Sequence, residues 1–414
     1  MAYLKEYDNK LKLVVNKMSG VMSVSIGIMV GAGSVNETPK NNGISHFLEH
    51  MSFKGTKTLS AFELSEAFDM IGASSNAYTS KENTCYYVKS TMQTAERAFE
   101  LLSDLFLNSS YADEEIEKEK GVVLEEINMC EDTPEEVCLD NLSLAFFGNE
   151  GLGRTILGPE ENVKAFDKKA IEEYRKDYYN ADNVVISFSG NIEENEAERL
   201  VEKYFLPFVA TNVSKPFFNT EKVNLAQDIR KYKDIEQNHL AFAFEGIKYY
   251  GKYHDELTLL NTIVGSGMSS RLFQRIREDL GLCYTIYSYP SGYRDVGSFV
   301  IYTGLNPDQT KEAYTAVLEV LKELKEKGIT QNEFEKAKAQ AISSFVFGQE
   351  STSSQMLLYA RYLLMQGKLF DFEEKINKFE SIKLEDVNEL IRWFDFDKFS
   401  LSLVGRNVVD LKLQ

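Results

Sequence analysis

His46, Glu49 and His50 carry the most chemistry in this chain. They lie in the run His46-Phe47-Leu48-Glu49-His50, which uses two of only four histidines in 414 residues. One helical turn separates the two imidazoles, so an α-helix aims both at one point where a metal ion could sit. A carboxylate one position before the second histidine stands beside that point, placed to take a proton from water. This H-x-x-E-H order is the reverse of the H-E-x-x-H order of zinc hydrolases. The residue types and their spacing point to zinc-assisted peptide hydrolysis.

Such a pair works only on a helix, and the flanking pattern predicts one. Counting from Ile44, Phe47, Leu48 and Met51 fall at i+3, i+4 and i+7 and make an apolar stripe. At about 100° per residue, His46, Glu49 and His50 gather on the other side. Gly43 gives the chain freedom to turn into the helix. A catalytic zinc site needs a third protein ligand and one open position. The carboxylate-rich segment Glu114–Glu131 offers candidates. Ile116, Val123, Ile127 and Cys130 mark a buried face there, and Glu119 and Glu126, seven apart, project together at its edge. Glu125 points away from the core. Glu126 is the expected third ligand, and Glu119 the carboxylate that orients a ligand from behind.

His46–His50 followed by Glu126 resembles the pitrilysin-type, inverted-motif zinc metallopeptidases, which include the mitochondrial processing peptidases and insulin-degrading enzymes. The resemblance covers essentially the whole chain and is closest to the short bacterial processing-peptidase branch. Gly43 to Thr56, Asn76-Ala77-Tyr78-Thr79-Ser80 and Glu119 to Glu126 all look like family signatures.

The composition is that of an ordinary soluble protein, 43% apolar and 27% charged. Its length suggests two or three domains with full hydrophobic cores. The N-terminus shows no basic start followed by an apolar run. The longest apolar stretch, Met22 to Ala32, is too short and Gly/Ser-rich to span a bilayer and alternates like a strand. No membrane association is therefore expected. Cys85, Cys130, Cys138 and Cys283 lack C-x-x-C spacing and read as reduced core residues, which fits a cytoplasmic location. A formal charge of −18 argues against nucleic acid as partner and is compatible with basic peptides.

The pattern of elements reads as one fold written twice. The first copy runs strand Met22–Val30, motif helix, strands between Ala77 and Lys89, helices Thr91–Asn108 and Glu114–Glu131, then strand Val184–Gly190. The second runs strand Leu240–Phe244, helix Glu256–Val264, strands Cys283–Tyr289 and Ser298–Thr303, helices Asp308–Lys327 and Asn332–Phe347, then strand Phe399–Gly405. Glu115-Ile116-Glu117-Lys118 parallels Glu333-Phe334-Glu335-Lys336, so Glu119 and Glu126 correspond to Ala337 and Ser344. The second copy has no histidine pair on its first helix. The expected fold is α+β: two homologous domains, each a mixed, largely antiparallel sheet packed against helices. The expected limits are 1–208 for the zinc-bearing domain, 209–230 for a linker in the Pro-bearing stretch from Leu206, and 231–414 for the second domain.

The resemblance implies more. One Zn2+ per chain would be held by His46, His50 and Glu126, with Glu49 as general base and Glu119 as accessory carboxylate. Arg277 and Tyr284 look like the family's pair that binds substrate backbone and stabilises the oxyanion. Asn76 and Ala77 would take a peptide substrate as an added strand, and Phe53 would line the pocket after the scissile bond. Glu136 and Asp140 resemble the acidic pair that receives an arginine before the cut. Four such domains enclose a chamber in the family, so a homodimer is expected, with a heterodimer as the variant and Arg277/Tyr284 acting in trans. The competing role is a non-catalytic scaffold or partner subunit. The short loop Gly265-Ser266-Gly267 resembles the glycine-rich loop of such partners.

Overall fold

The computed structural model describes residues 2–205, 207–209, 223–406, 408 and 412. The chain clusters into two compact units, the first made of Met1–Ile127, Thr155–Phe218 and Val346–Asp371, the second of Asn128–Arg154, Asn219–Phe345 and Phe372–Gln414.

In the first unit, strands β1 (Tyr3–Glu6), β2 (Lys12–Lys17), β3 (Ser23–Val30), β4 (Ser74–Thr79), β5 (Thr84–Thr91) and β6 (Val184–Gly190) form one sheet. Its order is β1-β2-β6-β3-β5-β4. Only β2 and β6 run parallel; every other neighbouring pair is antiparallel. In the second unit, β7 (Asp228–Tyr232), β8 (Asn238–Gly246), β9 (Cys283–Gly292), β10 (Gly297–Leu305) and β11 (Ser400–Gly405) are ordered β7-β11-β8-β10-β9. Again one pair is parallel, here the outer pair β7 with β11, and the rest are antiparallel. Strand for strand, β2-β6-β3-β5-β4 and β7-β11-β8-β10-β9 share one topology. The duplicated α+β fold is present.

The units are not continuous in sequence, as a division at 208 and 231 would require. Segment 128–154 clusters with the second unit because helix Pro134–Phe147 packs on β8 and β11. Segment 346–371 clusters with the first because helix Thr352–Gln366 packs on β3 and β6. Residues 210–222 of the expected linker lie outside the described residues. Its last residues are strand instead: β7 begins at Asp228, drawn in by its parallel pairing with β11.

Helix Thr352–Gln366 also explains why small residues alternate with large ones in β3. Val24, Ile26, Ile28 and Val30 enter the main core, but Ser25 and Gly27 are buried as well. Their face meets helix Thr352–Gln366, where Ser25 Oγ bonds Thr352 Oγ1 at 2.8 Å. At Gly27 a Cβ would stand 2.2 Å from Met356 Sδ. Glycine lets the helix lie this close. Both faces of β3 are thus covered, and its alternation marks large against small residues.

Two further readings change. Cys85 and Cys138 are buried as expected, while Cys130 and Cys283 are partly exposed. On helix Asp113–Asp132, Ile116 and Val123 are buried but Ile127 and Cys130 only half so, because the buried face does not run the helix's full length.

Candidate metal centre

The motif helix is Ile44–Ser52. Ile44, Phe47, Leu48 and Met51 have no exposed surface and anchor it to the core of the first unit. Burying them forces the opposite face, with His46, Glu49 and His50, toward helix Asp113–Asp132. That face is enclosed: His46 is 8% and Glu49 9% exposed.

His46 Nε2 lies 3.7 Å and His50 Nε2 3.5 Å from Glu126 Oε2, and the three ligand atoms all fall within 4.8 Å of one another. Ligands about 2.0–2.1 Å from a tetrahedral zinc stand about 3.3 Å apart. The two separations to Glu126 lie slightly above that value, close enough for the three donors to share one ion, and this is the one such group among the described residues.

Of the three donors, His50 is oriented from behind, whereas His46 Nδ1 is buried with no hydrogen-bond partner among the described residues. His50 Nδ1 bonds Glu119 Oε1 at 2.8 Å, which fixes the tautomer that leaves Nε2 free to ligate. Glu119 is itself buried and paired through Oε2 with Lys54 Nζ at 2.6 Å. Burial pushes the Glu119 carboxyl up, but the His50 and Lys54 bonds outweigh it and hold it below its ordinary range. Burial, then the neighbouring His50, pushes His46 down to about 3, so it is neutral, as a ligand must be. Burial also pulls His50 down, yet Glu119, then Glu126 and Glu49, carry it above its ordinary value. Three carboxylates favour positive charge at this point, and a divalent cation would answer the same field.

Glu49 sits in the same enclosed corner. Burial raises its carboxyl above the ordinary range despite a 2.6 Å hydrogen bond donated by Thr79 Oγ1. Thr79 ends β4, the edge strand that carries Asn76 and Ala77. Their inner neighbours are Tyr87 and Tyr86 on β5, and the other side of β4 pairs with no described strand. Phe53 is the half-buried residue that caps the motif helix.

Sequence reasoning did not single out Thr79 or Lys54. Thr79 belongs to the signature run Asn76–Ser80. Lys54 lies two residues past the end of the motif helix.

The remaining candidates belong to the second unit. Glu136, exposed, and Asp140, half-buried, lie one turn apart on helix Pro134–Phe147. Arg277 and Tyr284 are brought together: the guanidinium carbon is 5.4 Å from the centre of the Tyr284 ring and 4.5 Å from that of Phe273. Arg277 occupies a π-helical turn, Phe273–Asp279, a rare form frequent at functional sites. Tyr284, near the start of the edge strand β9, is 78% exposed.

Fold and site together define a duplicated α+β scaffold in which one copy carries an inverted-motif metal corner. The comparisons with known proteins agree. Residues 13–160 match the family described as insulinase (peptidase family M16), and 165–341 match the peptidase M16 inactive domain. The "uncharacterized zinc protease YmxG" of Bacillus subtilis is 42% identical over 97% of this chain and 98% of its own length. An "uncharacterized zinc protease" of Streptomyces coelicolor is 32% identical over 95% of this chain and 87% of its own. The crystal structure of a protease from Helicobacter pylori superposes with a TM-score of 0.91 at 22% identity, covering 98% of this chain and 99% of that one. The chain belongs to peptidase family M16. No described helix is long and apolar enough to cross a membrane.

Proposed function

We propose that this chain is a zinc-dependent endopeptidase that cuts peptides and unstructured segments, with one Zn2+ held by His46, His50 and Glu126. The convergence of these three donors at ligand-to-ligand spacing carries the reading. The zinc proteases of Bacillus and Streptomyces support it by likeness.

Bound there, zinc would supply a Lewis acid that polarises the scissile carbonyl and acidifies the attacking water. Glu49 accepts the proton of that water and delivers it to the leaving amine. Its raised pKa brings it closer to the operating pH, where a general base works best. Thr79 holds the carboxylate in place. The open edge of β4 at Asn76 and Ala77 binds the substrate backbone as an added strand, and Phe53 borders the side chain after the cut. Arg277 and Tyr284 donate hydrogen bonds to the developing oxyanion. We take them from the second copy in a homodimer, since the exposed phenol is available to a ligand. Glu136 and Asp140, one turn apart, favour a basic residue before the cut. Four free thiols suit a cytoplasmic location. A scaffold role would leave three ligands and a base in one corner without a use.

Purified wild type and Glu49→Gln are to be compared on quenched peptides with and without arginine, with zinc content measured for both. Wild type should cut, faster on the arginine peptides. The variant should keep its zinc and lose about 10²- to 10⁴-fold in kcat. Equal rates on both peptide sets would end the basic preference. Zinc binding without cleavage by wild type at any protein concentration would end the peptidase reading.

A further inference from the structure

We propose that Glu37 is a positioning residue for the metal site: its buried carboxylate caps the N-terminus of the motif helix and so sets where His46 and His50 point. The inference rests on the metal-site reading above.

The first turn of any helix leaves backbone N–H groups without partners, and Ser, Thr, Asp or Asn at the N-cap is the usual remedy. That remedy is closed here. The N-cap is Gly43 with φ +100°, and a Cβ there would stand 2.4 Å from the carbonyl oxygen of Leu157. The first turn of Ile44–Ser52 also carries no acidic residue. Both deficits are met by Glu37, from the loop six residues upstream. Its Oε2 accepts from Gly43 N and Asn42 Nδ2, each at 2.8 Å, and its Oε1 accepts from Ser45 N at 2.8 Å. The residue has no exposed surface, and the carboxylate lies at the positive end of the helix dipole.

The capped turn is the one that carries the first ligand. Ser45, whose amide Glu37 holds, directly precedes His46, and its hydroxyl is fixed by the Tyr174 hydroxyl at 2.7 Å. The loop is tied down independently, because Asn162 Nδ2 donates to the carbonyls of Pro39 and Asn42 at 3.0 Å each. Asn42 Nδ2 also reaches Thr155 O at 2.9 Å. Glu37 therefore sits on a rigid mount, and the height and rotation of the first helical turn follow from it. Loss of the cap would fray that turn and displace His46 before His50.

Glu37→Gln is nearly isosteric but turns an amide NH2 toward N–H donors. Metal-free wild type and variant are to be titrated with Co2+, read by visible absorption. Amide hydrogen exchange of the His46–His50 turn is measured on the metal-free proteins. We expect one Co2+ per wild-type chain. The variant should bind about tenfold more weakly, with altered bands, faster exchange at His46, and a lower kcat at unchanged KM. A variant equal to wild type in affinity, bands and exchange overturns the proposal, even if its Tm falls. Wild type that binds no Co2+ would sink the metal reading instead, while the exchange comparison would still decide the cap. If Glu37→Gln does not fold, Glu37→Asp and Asn42→Ala take its place. Glu37→Asp should bind Co2+ more weakly than Asn42→Ala, which keeps the carboxylate. A Glu37→Asp variant indistinguishable from wild type overturns the proposal.

Discussion

The two units solve one folding problem and differ in what they add to it. Helix Asp113–Asp132 of the first and helix Gln331–Gly348 of the second begin in the same register, with Ile116 and Phe334 buried as the fourth residue of each. At the seventh residue the first has Glu119, bonded to His50, and the second has Ala337, packed in the core. At the fourteenth, Glu126 faces two imidazoles, while Ser344 is exposed. Even the shared third residue has parted ways: Glu115 meets Lys118 on an exposed face, whereas Glu333 takes a bidentate bond from Arg271. The first helices differ too. His254–Val264 carries Asp255 and Glu256 in its own first turn, and the motif helix borrows its acid from Glu37. The lesson is that the scaffold tolerates the loss of its metal chemistry at individual positions, so function here lies in a handful of side chains and not in the fold.

Breaking this contrast at its sharpest point means exchanging the roles of the fourteenth positions. Glu126→Ala should remove bound zinc and lower kcat/KM by on the order of 10³-fold or more, while Ser344→Ala should stay within about twofold of wild type. Peptide cleavage and metal analysis of both variants check this; comparable losses would mean the second unit has chemistry of its own.

The second unit's proposed contribution is tested next. Tyr284→Phe should lower kcat by about 10- to 100-fold with KM nearly unchanged, because an oxyanion donor acts mainly in the transition state. A pure KM effect would recast the residue as a substrate contact. Glu119→Gln should weaken zinc by about 10- to 100-fold, measured by competition with a chelator, and no loss would reduce Glu119 to a partner of Lys54.

The smallest effect concerns stability. Burial pushes Glu333 up, but the bonds from Arg271 and Thr330 outweigh it and hold it at about 2. A carboxyl depressed below its ordinary 4.5 stabilises the fold above that pH, and the benefit is lost as pH falls toward about 2. Glu333→Gln should therefore cost about 1 kcal/mol at neutral pH. The gap to wild type should close between about pH 4.5 and 2. Denaturant unfolding across that range would show it.

Much of this was legible in the sequence because periodicity reports burial. The stripe Ile44, Phe47, Leu48 and Met51 gave the motif helix and its polar face, and the seven-residue spacing of Glu119 and Glu126 selected both carboxylates. The match of Glu115–Lys118 with Glu333–Lys336 revealed the duplication. What stayed hidden depends on contacts between distant segments. Nothing in Thr352–Gln366 announces that it will cover β3 and β6 at Ser25 and Gly27. The π-helical turn that holds Arg277 has no periodic signature. Glu37 is a lone acid in a loop, and its role appears only once Leu157 is seen to exclude a side chain at Gly43.

The metal is expected in one corner of one unit. Anomalous diffraction at the zinc absorption edge, on crystals grown without chelator, tests it most directly. A single peak per chain is expected, within about 2.2 Å of His46 Nε2, His50 Nε2 and Glu126 Oε2. An empty corner, or a peak held by residues of the second unit, would contradict it.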